Sequence, residues 1–345
     1  MNENIKLEFV TNNIKKIDKI IKNKSKIGIV FKDRYSLTSK MNLSYFAYLL
    51  SKNTDLIDIF LFNNLSNAII ARKLGITKPI ILLYYISPEE VQLALDNDIE
   101  ITCPNIEWLK KTLLITNFTN NKLKLHCYYD SKLGREGFID ETELYNLLSE
   151  IKNYTNIELV GLGTKFNQTT DEINIIKLNY LSSETMNSIM KDYISTQVNK
   201  FNSIINYCKN NNLINKNTKI HAACTREVLA EYIETYYDFV RIGTLAFSTI
   251  LNPFKIQAEI LDIKKIPEDF CIGYFCKHKT TKNITIAYIK NYNISDPIFM
   301  YKNIVINPIS NITFDPFLLD IDKIKDIIKI GDKIDVISTN IFYFP

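Results

Sequence analysis

Short apolar runs alternate with longer amphipathic stretches along the first two thirds of the chain. Eight runs are rich in β-branched and aromatic residues, which is typical of buried parallel strands. They are KIGIVF, DIFLF, IILLY, IEITC, LKLHCYYD, IELVGLG, KIHAAC and DFVRIG. Stretches such as LSYFAYLLSK and ETELYNLLSEIKN lie between them and repeat apolar residues at helical spacing. Eight strands joined by helices predict a closed (β/α)8 barrel of the TIM type.

The pattern changes after about Thr249. Runs such as QAEILDIKKI and NITIAYIK alternate without helical stretches between them, which is typical of a β domain. We therefore predict a cofactor-binding barrel over residues 10–248 and a mostly β domain over residues 249–345. Residues 1–9 are expected to add a strand to the second domain.

Composition narrows the class of protein. Of 345 residues, 46% are hydrophobic and 23% are charged, as in ordinary soluble proteins. The net charge is +4 and the lysines are scattered, so nucleic acid is not expected as a partner. The N-terminus lacks a signal pattern and the longest apolar run is too short to cross a bilayer. We therefore expect a cytoplasmic protein with no membrane partner.

Cysteine and histidine usage argues against a metal site. The six cysteines include no CxxC pair and the chain has three histidines, so neither structural zinc nor a disulfide framework is predicted. Cys271 and Cys276 could pair as redox thiols. On a hairpin of the β domain, however, we interpret them as ordinary small apolar residues.

Candidate functional residues follow the barrel strands, whose C-terminal ends converge on one mouth. They are Lys32, Asp130, Arg135, Thr164, Lys165, His221, Cys224, Thr225, Arg241 and Gly243. Five of the nine glycines fall in three of these segments, which indicates that the backbone needs them there. A lysine after the first strand, together with a phosphate site after the last, indicates pyridoxal phosphate as the cofactor.

These segments resemble motifs of the alanine racemase family, which are pyridoxal-phosphate enzymes of fold type III, and the resemblance covers nearly the whole chain. VFKDRYS resembles the segment that bonds covalently to the cofactor, which implies that role for Lys32 and a phosphate contact for Tyr35. DSKLGREGF resembles the DTGMxRxGF stretch. The resemblance implies that Arg135 contacts the phenolic oxygen of the cofactor and the substrate carboxylate, a bidentate task that suits guanidinium.

Two further segments, HAACT and DFVRIGTLAFS, resemble the HxANS and DxVRxGxxxYG motifs. The resemblance implies that the hydroxyl of Thr225 and the backbone at Gly243 and Thr244 bind the cofactor. It also implies that Arg241 faces the pyridine nitrogen and that His221 supports Arg241.

In the β domain, ITIAYIKNY resembles the segment whose first tyrosine enters the partner subunit's active site as the second base. This implies that Tyr288 and Lys32 act on opposite faces of the substrate, in a homodimer with composite sites. The stretch ITFDPFLLDI has Phe314 where methionine is usual, which implies a place beside the substrate. The family also implies that Tyr274 lines the entrance.

The resemblance implies a racemase that interconverts L- and D-alanine, whose D-product would feed peptidoglycan synthesis. Lys165 stands where the family has histidine; we hypothesise that its ammonium supports Tyr288, beside the alternative that it is a surface lysine. Tyr128 replaces a lysine that is often carbamylated. The chain ends at NIFYFP, so we expect a divergent member with a shortened C-terminus, in which either cofactor affinity is reduced or Tyr343 substitutes for a phosphate-contacting tyrosine.

Other interpretations stay open. A lysine at a strand end is most often a solvated surface charge, and the ordered set of motifs is what favours catalysis by Lys32. The alternatives are a racemase of other or broader amino-acid specificity and a degenerate, non-catalytic homologue that binds the cofactor or a partner. A decarboxylase of fold type III is less favoured because its glycine-rich phosphate loop is not evident.

Overall fold

The computed structural model divides the chain into two units, Met1–Phe247 and Ser248–Pro345. It describes residues 3–32, 42–118, 121–166, 183–248, 254–289, 297–302, 304–310 and 317–338. Among the helices of these ranges, none is both long enough and apolar enough to cross a membrane. In the same ranges, no three His, Cys, Asp or Glu side chains are grouped so as to hold a metal ion.

A parallel sheet of eight strands forms the first unit. The strands are β1 Lys26–Phe31, β2 Ile59–Phe62, β3 Ile80–Leu82, β4 Ile101–Thr102, β5 Leu123–Tyr129, β6 Ile157–Thr164, β7 Lys219–His221 and β8 Phe239–Ile242. Their order is β3-β2-β1-β8-β7-β6-β5-β4. A parallel bridge between Ile81 and Glu100 closes the ring between β3 and β4. The predicted (β/α)8 barrel is therefore confirmed.

Helices accompany these strands. They are α1 Glu3–Ile21, α2 Leu43–Asn53, α3 Leu65–Lys73, α4 Val91–Asp96, α5 Ile106–Ile115, α6 Glu141–Ile151, α7 Ser183–Asn210, α8 Thr225–Leu229 and α9 Thr244–Phe247. Short polar side chains cap several N-termini by accepting a hydrogen bond from a first-turn N–H group. These residues are Asn42, Asn64, Asn105 and Asp140.

The prediction that residues 1–9 form a strand is wrong, because the chain from residue 3 onward forms α1. Val10, Ile14, Ile17 and Ile21 recur at helical spacing and are all buried, so the apolar stripe of one helix decides the structure of the segment. The side-chain amide of Asn13 donates to the carbonyl of Ala246 at 2.9 Å. This bond ties α1 to α9.

A second closed barrel, with antiparallel strands, forms the other unit. Its strands are β9 Phe254–Ile266, β12 Ile284–Ile289, β13 Ile298–Tyr301, β14 Ile304–Ser310, β15 Phe317–Asp320 and β16 Lys333–Ser338, in the order β12-β15-β14-β13-β16-β9. Strands β10 Cys271–Ile272 and β11 His278–Lys279 form a hairpin. On β12, Ala287 and Ile289 join the barrel core, whereas Tyr288 packs on the opposite side with Ile284 and Ile286.

The interpretation of Cys271 and Cys276 as ordinary apolar residues is wrong, because a disulfide joins them. A 3₁₀ turn over Tyr274–Cys276 reverses the chain within the hairpin. The turn brings the Cα atoms of the two cysteines to 4.8 Å, which is within the range of disulfides.

Phe299 supplies a test of the second barrel. Its side chain is fully buried and its ring centre lies 5.1 Å from that of Phe317. We expect Phe299→Ala to lower the free energy of unfolding by about 3–5 kcal/mol, because the substitution leaves a cavity. Denaturant titration followed by circular dichroism measures this. Leu114→Ala, at a side chain 86% exposed on α5, should change it by less than about 0.5 kcal/mol; equal effects would contradict the described core.

Candidate active site

Lys32 directly follows β1 and is half-buried at the C-terminal end of the barrel. The strand end beneath it is fixed by aromatic packing. The Phe31 ring lies 5.2 Å from that of Phe62 and 5.5 Å from that of Phe247. This packing fixes the backbone that carries Lys32 at the mouth where barrels hold their reactive groups. Tyr35, the predicted phosphate contact, lies outside the described residues.

Arg241 of β8 is a buried cation at the same mouth. Its Nη2 donates to the carbonyl of Ala222 at 2.7 Å and also to that of Thr164. Its guanidinium carbon lies 5.7 Å from the centre of the Tyr128 ring. Its Nε is buried and, among the described residues, has no hydrogen-bond partner. A buried donor without an acceptor is costly, so this Nε–H is suited to an acceptor on a ligand.

A series of three hydrogen-bonded side chains lies within the barrel. Nε2 of His221 lies 3.2 Å from Nδ1 of His126, and Nε2 of His126 lies 2.8 Å from a carboxylate oxygen of Glu100. Both imidazoles are fully buried. Burial lowers the pKa of His221 well below its usual value, and the charge of Arg241 acts in the same direction. His221 is therefore neutral near pH 7.

Two glycines of β6 make room for these rings. A Cβ atom at Gly161 would lie 1.9 Å from Nδ1 of His126, and one at Gly163 would lie 2.5 Å from Cε1 of His221. Both distances are far below van der Waals contact. The sequence analysis attributed these glycines to the conformation of the backbone. In the structure, glycine is needed because any side chain would overlap the imidazole rings.

Arg135 lies on the loop after β5. The carboxylate of Asp130 shapes this loop by accepting the N–H groups of Leu133 at 2.6 Å and Arg135 at 2.8 Å. Gly137 has φ +112°, and a Cβ atom there would lie 2.9 Å from the Tyr128 carbonyl, so only glycine fits. The guanidinium of Arg135 is about half exposed and pairs with Glu136, a partner that sequence reasoning missed.

Lys165 is half-buried immediately after β6. Burial lowers the pKa of its ammonium, and the positive charges of Arg135 and Arg241 act in the same direction. The carbonyl of Lys165 accepts a hydrogen bond from the Ser131 hydroxyl at 3.0 Å. The structure thus brings Lys165 close enough to Arg135 and Arg241 for their charges to interact.

The proposed phosphate contacts lie after β7 and β8. Thr225 begins α8, and its hydroxyl oxygen accepts the N–H of Leu245 at 3.2 Å. Gly243 is buried and Thr244 begins α9. The bond from Leu245 therefore holds the starts of the two short helices together, with Thr225, Gly243 and Thr244 on connected segments.

The remaining candidates belong to the second unit. Tyr288 is half-buried on β12, and the β12–β9 register shifts directly after its pairing with Asp262. Such bulges re-aim side chains. The ammonium of Lys264, which sequence reasoning missed, lies 5.3 Å from the centre of the Tyr288 ring. The side chain of Tyr274 and the whole of Phe314 lie outside what the structure describes.

Comparison with solved structures shows the same fold elsewhere. The chain superposes on alanine racemase from Clostridium difficile 630 with a TM-score of 0.56 and 23% identity, covering 95% of this chain and 83% of that one. It superposes on the biosynthetic alanine racemase from Pseudomonas aeruginosa with a TM-score of 0.60 and 14% identity, covering 95% and 87%.

Sequence comparison identifies the family. Alanine racemase from Clostridium perfringens is 25% identical over 350 residues, which cover 96% of this chain and 84% of that protein. The family model described as alanine racemase, N-terminal domain, matches residues 5–250. The chain therefore belongs to the alanine racemase family of isomerases.

Proposed function

We propose that this protein is a pyridoxal-phosphate-dependent racemase that interconverts L- and D-alanine. The observation that carries the proposal is the buried Arg241, whose Nε–H has no acceptor among the described residues, at the mouth that also holds Lys32. Alanine itself comes from the family and from relatives named alanine racemase. A related structure from Bacillus anthracis was solved with bound L-Ala-P.

The residues present fit this cofactor. The Nε–H of Arg241 suits a pyridine nitrogen, and the guanidinium keeps its proton in proteins, so it donates to that nitrogen without protonating it. Thr225, Gly243 and Thr244 would hold the phosphate, as would Tyr35. Lys32 would hold the cofactor covalently until the amino group of the substrate displaces it, which would free its amine to act as a base. When bound, pyridoxal phosphate supplies an electron sink that acidifies the α-C–H bond of an attached amino acid.

Racemisation requires two proton transfers on opposite faces of the α-carbon. We assign removal of the α-proton on one face to Nζ of Lys32 and delivery of a proton on the other face to the Tyr288 hydroxyl. In the reverse direction the two groups exchange roles. Because the family's tyrosine serves the partner subunit, the proposal includes a homodimer. A free tyrosine titrates near 10, so Tyr288 needs a nearby cation to act as a base near neutrality.

Substrate recognition falls to Arg135 and Phe314 in this proposal. Arg135 pairs with Glu136 within its own loop, so a substrate carboxylate would share or replace that partner. Phe314 would take the position beside the substrate methyl group. The proposed setting is the cytoplasm, with D-alanine supplied for peptidoglycan synthesis.

The first experiment tests Lys32. We expect protein purified with pyridoxal phosphate to show a visible absorption band that borohydride removes, with the label mapped to Lys32, and to form D-alanine from L-alanine. Lys32→Ala should lower racemisation by about 10³-fold or more, because it removes a general base and the covalent attachment.

Lys26→Ala, at the exposed opposite end of β1, is the matched control and should retain both properties. A label on Lys32 without turnover of alanine would redirect the search to other amino acids. Absence of any label would overturn the proposal and favour the non-catalytic homologue.

A second experiment tests the cation that supports Tyr288. We expect Lys165→Ala to move the acidic limb of the racemisation pH profile upward by about one unit or more, because loss of a nearby positive charge disfavours the phenolate. Since burial lowers the pKa of Lys165, the wild type should also lose this support at a lower alkaline pH than an ordinary lysine would allow.

Lys165→Arg keeps the charge and should keep the acidic limb in place. Lys264→Ala is the comparison variant, since Lys264 contacts the face of the Tyr288 ring. If Lys165→Ala leaves the profile unaltered, Lys165 has no such role; a shift in Lys264→Ala alone would assign the role to Lys264.

A further inference from the structure

The hydrogen-bonded series Glu100–His126–His221 does more than fill space inside the barrel. We propose that Glu100 and His126 are positioning residues that fix His221 as a neutral imidazole with its proton on Nε2 and a bare Nδ1. The catalytic meaning of this inference rests on the proposed function, because His221 lies beside Arg241. The tautomer itself does not depend on any activity.

The carboxylate of Glu100 determines which nitrogen donates in each hydrogen bond of the series. An ionised carboxylate can only accept hydrogen bonds, so at 2.8 Å it accepts the Nε2–H of His126. A neutral imidazole carries one N–H, so Nδ1 of His126 is an acceptor. At 3.2 Å that acceptor takes the Nε2–H of His221. Nδ1 of His221, which has no partner among the described residues, is then left without a proton.

A second proton on His126 would reverse the direction of the hydrogen bonds, because its Nδ1–H would then donate to Nε2 of His221. His126 is fully buried. The Glu100 carboxylate also interacts electrostatically with the Arg72 guanidinium. The charge of Arg241 lowers the pKa of His221, and a charge on His126 would act in the same direction. A neutral His126 avoids adding this second positive charge.

The barrel wall is shaped to hold this series. The Cβ atom missing at Gly161 would lie against Nδ1 of His126, the acceptor of the second hydrogen bond. The Cβ atom missing at Gly163 would lie 2.5 Å from the His221 ring and 2.8 Å from that of Tyr128. Two glycines two residues apart on β6 thus admit both imidazoles in register with Glu100. If the His126 ring only filled space, its hydrogen bonds to Glu100 and to His221 would not be needed.

The consequence concerns Arg241. A protonated His221 would repel the guanidinium of Arg241, and an Nδ1–H tautomer would leave a buried proton with no acceptor among the described residues. With Nδ1 bare and the ring neutral, the positive charge stays on Arg241. The Nε–H of Arg241 is then the donor offered to a pyridine nitrogen. Glu100 and His126 act on the site through His221 and touch no reacting atom.

The tautomers can be measured directly, because the chain has three histidines and so gives few signals to assign. We would label histidine with ¹⁵N and record long-range ¹H–¹⁵N spectra of the apo protein near neutral pH, with His278→Gln to remove the third signal. The expected result is the neutral Nε2–H tautomer for both His126 and His221. An Nδ1–H tautomer at His221, or two protonated nitrogens at His126, would overturn the proposal.

Variants of Glu100 separate positioning from mere packing. Glu100→Leu removes the acceptor, so we expect the Nδ1–H signal to appear at His221. Glu100→Gln keeps an oxygen acceptor of the same shape and should restore the wild-type tautomers. Glu107→Leu, on the exposed face of α5, is the control and should change neither signal. If Glu100→Leu fails to fold, the wild-type spectrum still decides.

Kinetics of the cofactor-loaded enzyme provide the catalytic readout. A histidine in the wrong tautomer can cost a site orders of magnitude in rate, so kcat should fall about tenfold or more in Glu100→Leu and recover in Glu100→Gln. Correct tautomers in a protein that does not racemise alanine would refute the proposed function and leave the tautomer inference intact. Unchanged kcat with switched tautomers would refute the positioning role.

Gly161 tests the packing of the series. We expect Gly161→Ala to lower the midpoint of denaturation and to shift the His126 signals, because the new methyl group overlaps Nδ1. In a His126→Ala background the same substitution should cost less, since the overlapping ring is gone, and the double-mutant cycle measures the coupling. Additive effects would contradict the described contact between β6 and His126.

Discussion

Burial of the Arg241 guanidinium is the constraint around which the mouth of the barrel is arranged. A buried cation must be met by acceptors, because its desolvation is otherwise too costly. Backbone carbonyls at the ends of β6 and β7 supply them from Thr164 and Ala222. Those carbonyls are available because parallel strands of a barrel expose the carbonyls at their C-terminal ends to the mouth. The fold therefore creates both the site of the charge and its partners.

Tyr128, at the position where the resemblance implies a lysine in the family, packs against the buried cation of the mouth. Its ring lies against the guanidinium of Arg241, and burial raises the pKa of its hydroxyl despite that nearby charge. Tyr128 is thus a neutral neighbour for Arg241. The orientation of Arg135 comes from elsewhere, since Asp130 accepts its backbone N–H and Glu136 pairs with its guanidinium.

The barrel could be predicted from the sequence because both faces of parallel strands are buried, which leaves continuous apolar runs such as KIGIVF for β1. The first helix could not be predicted from residues 1–9 alone, because the buried apolar positions that define it run from Val10 to Ile21. Glu100 and His126 were missed for a different reason. Each is a polar residue within or beside an apolar strand, and only the register across β4, β5 and β7 shows that they meet. Lys264 likewise reaches Tyr288 across the β9–β12 pairing.

The electrostatics of the mouth favour an anionic ligand. The charges of Arg135 and Arg241 both lower the pKa of Lys165. They do so because each guanidinium repels the Lys165 ammonium when that group is protonated. Glu136 relieves part of this repulsion at Arg135. A ligand that carries a phosphate and a carboxylate would relieve more of it, and would be bound more tightly by the folded protein for the same reason. The mutual repulsion of Lys165, Arg135 and Arg241 is therefore a reason to expect an anion at this mouth, in a chain whose net charge is only +4.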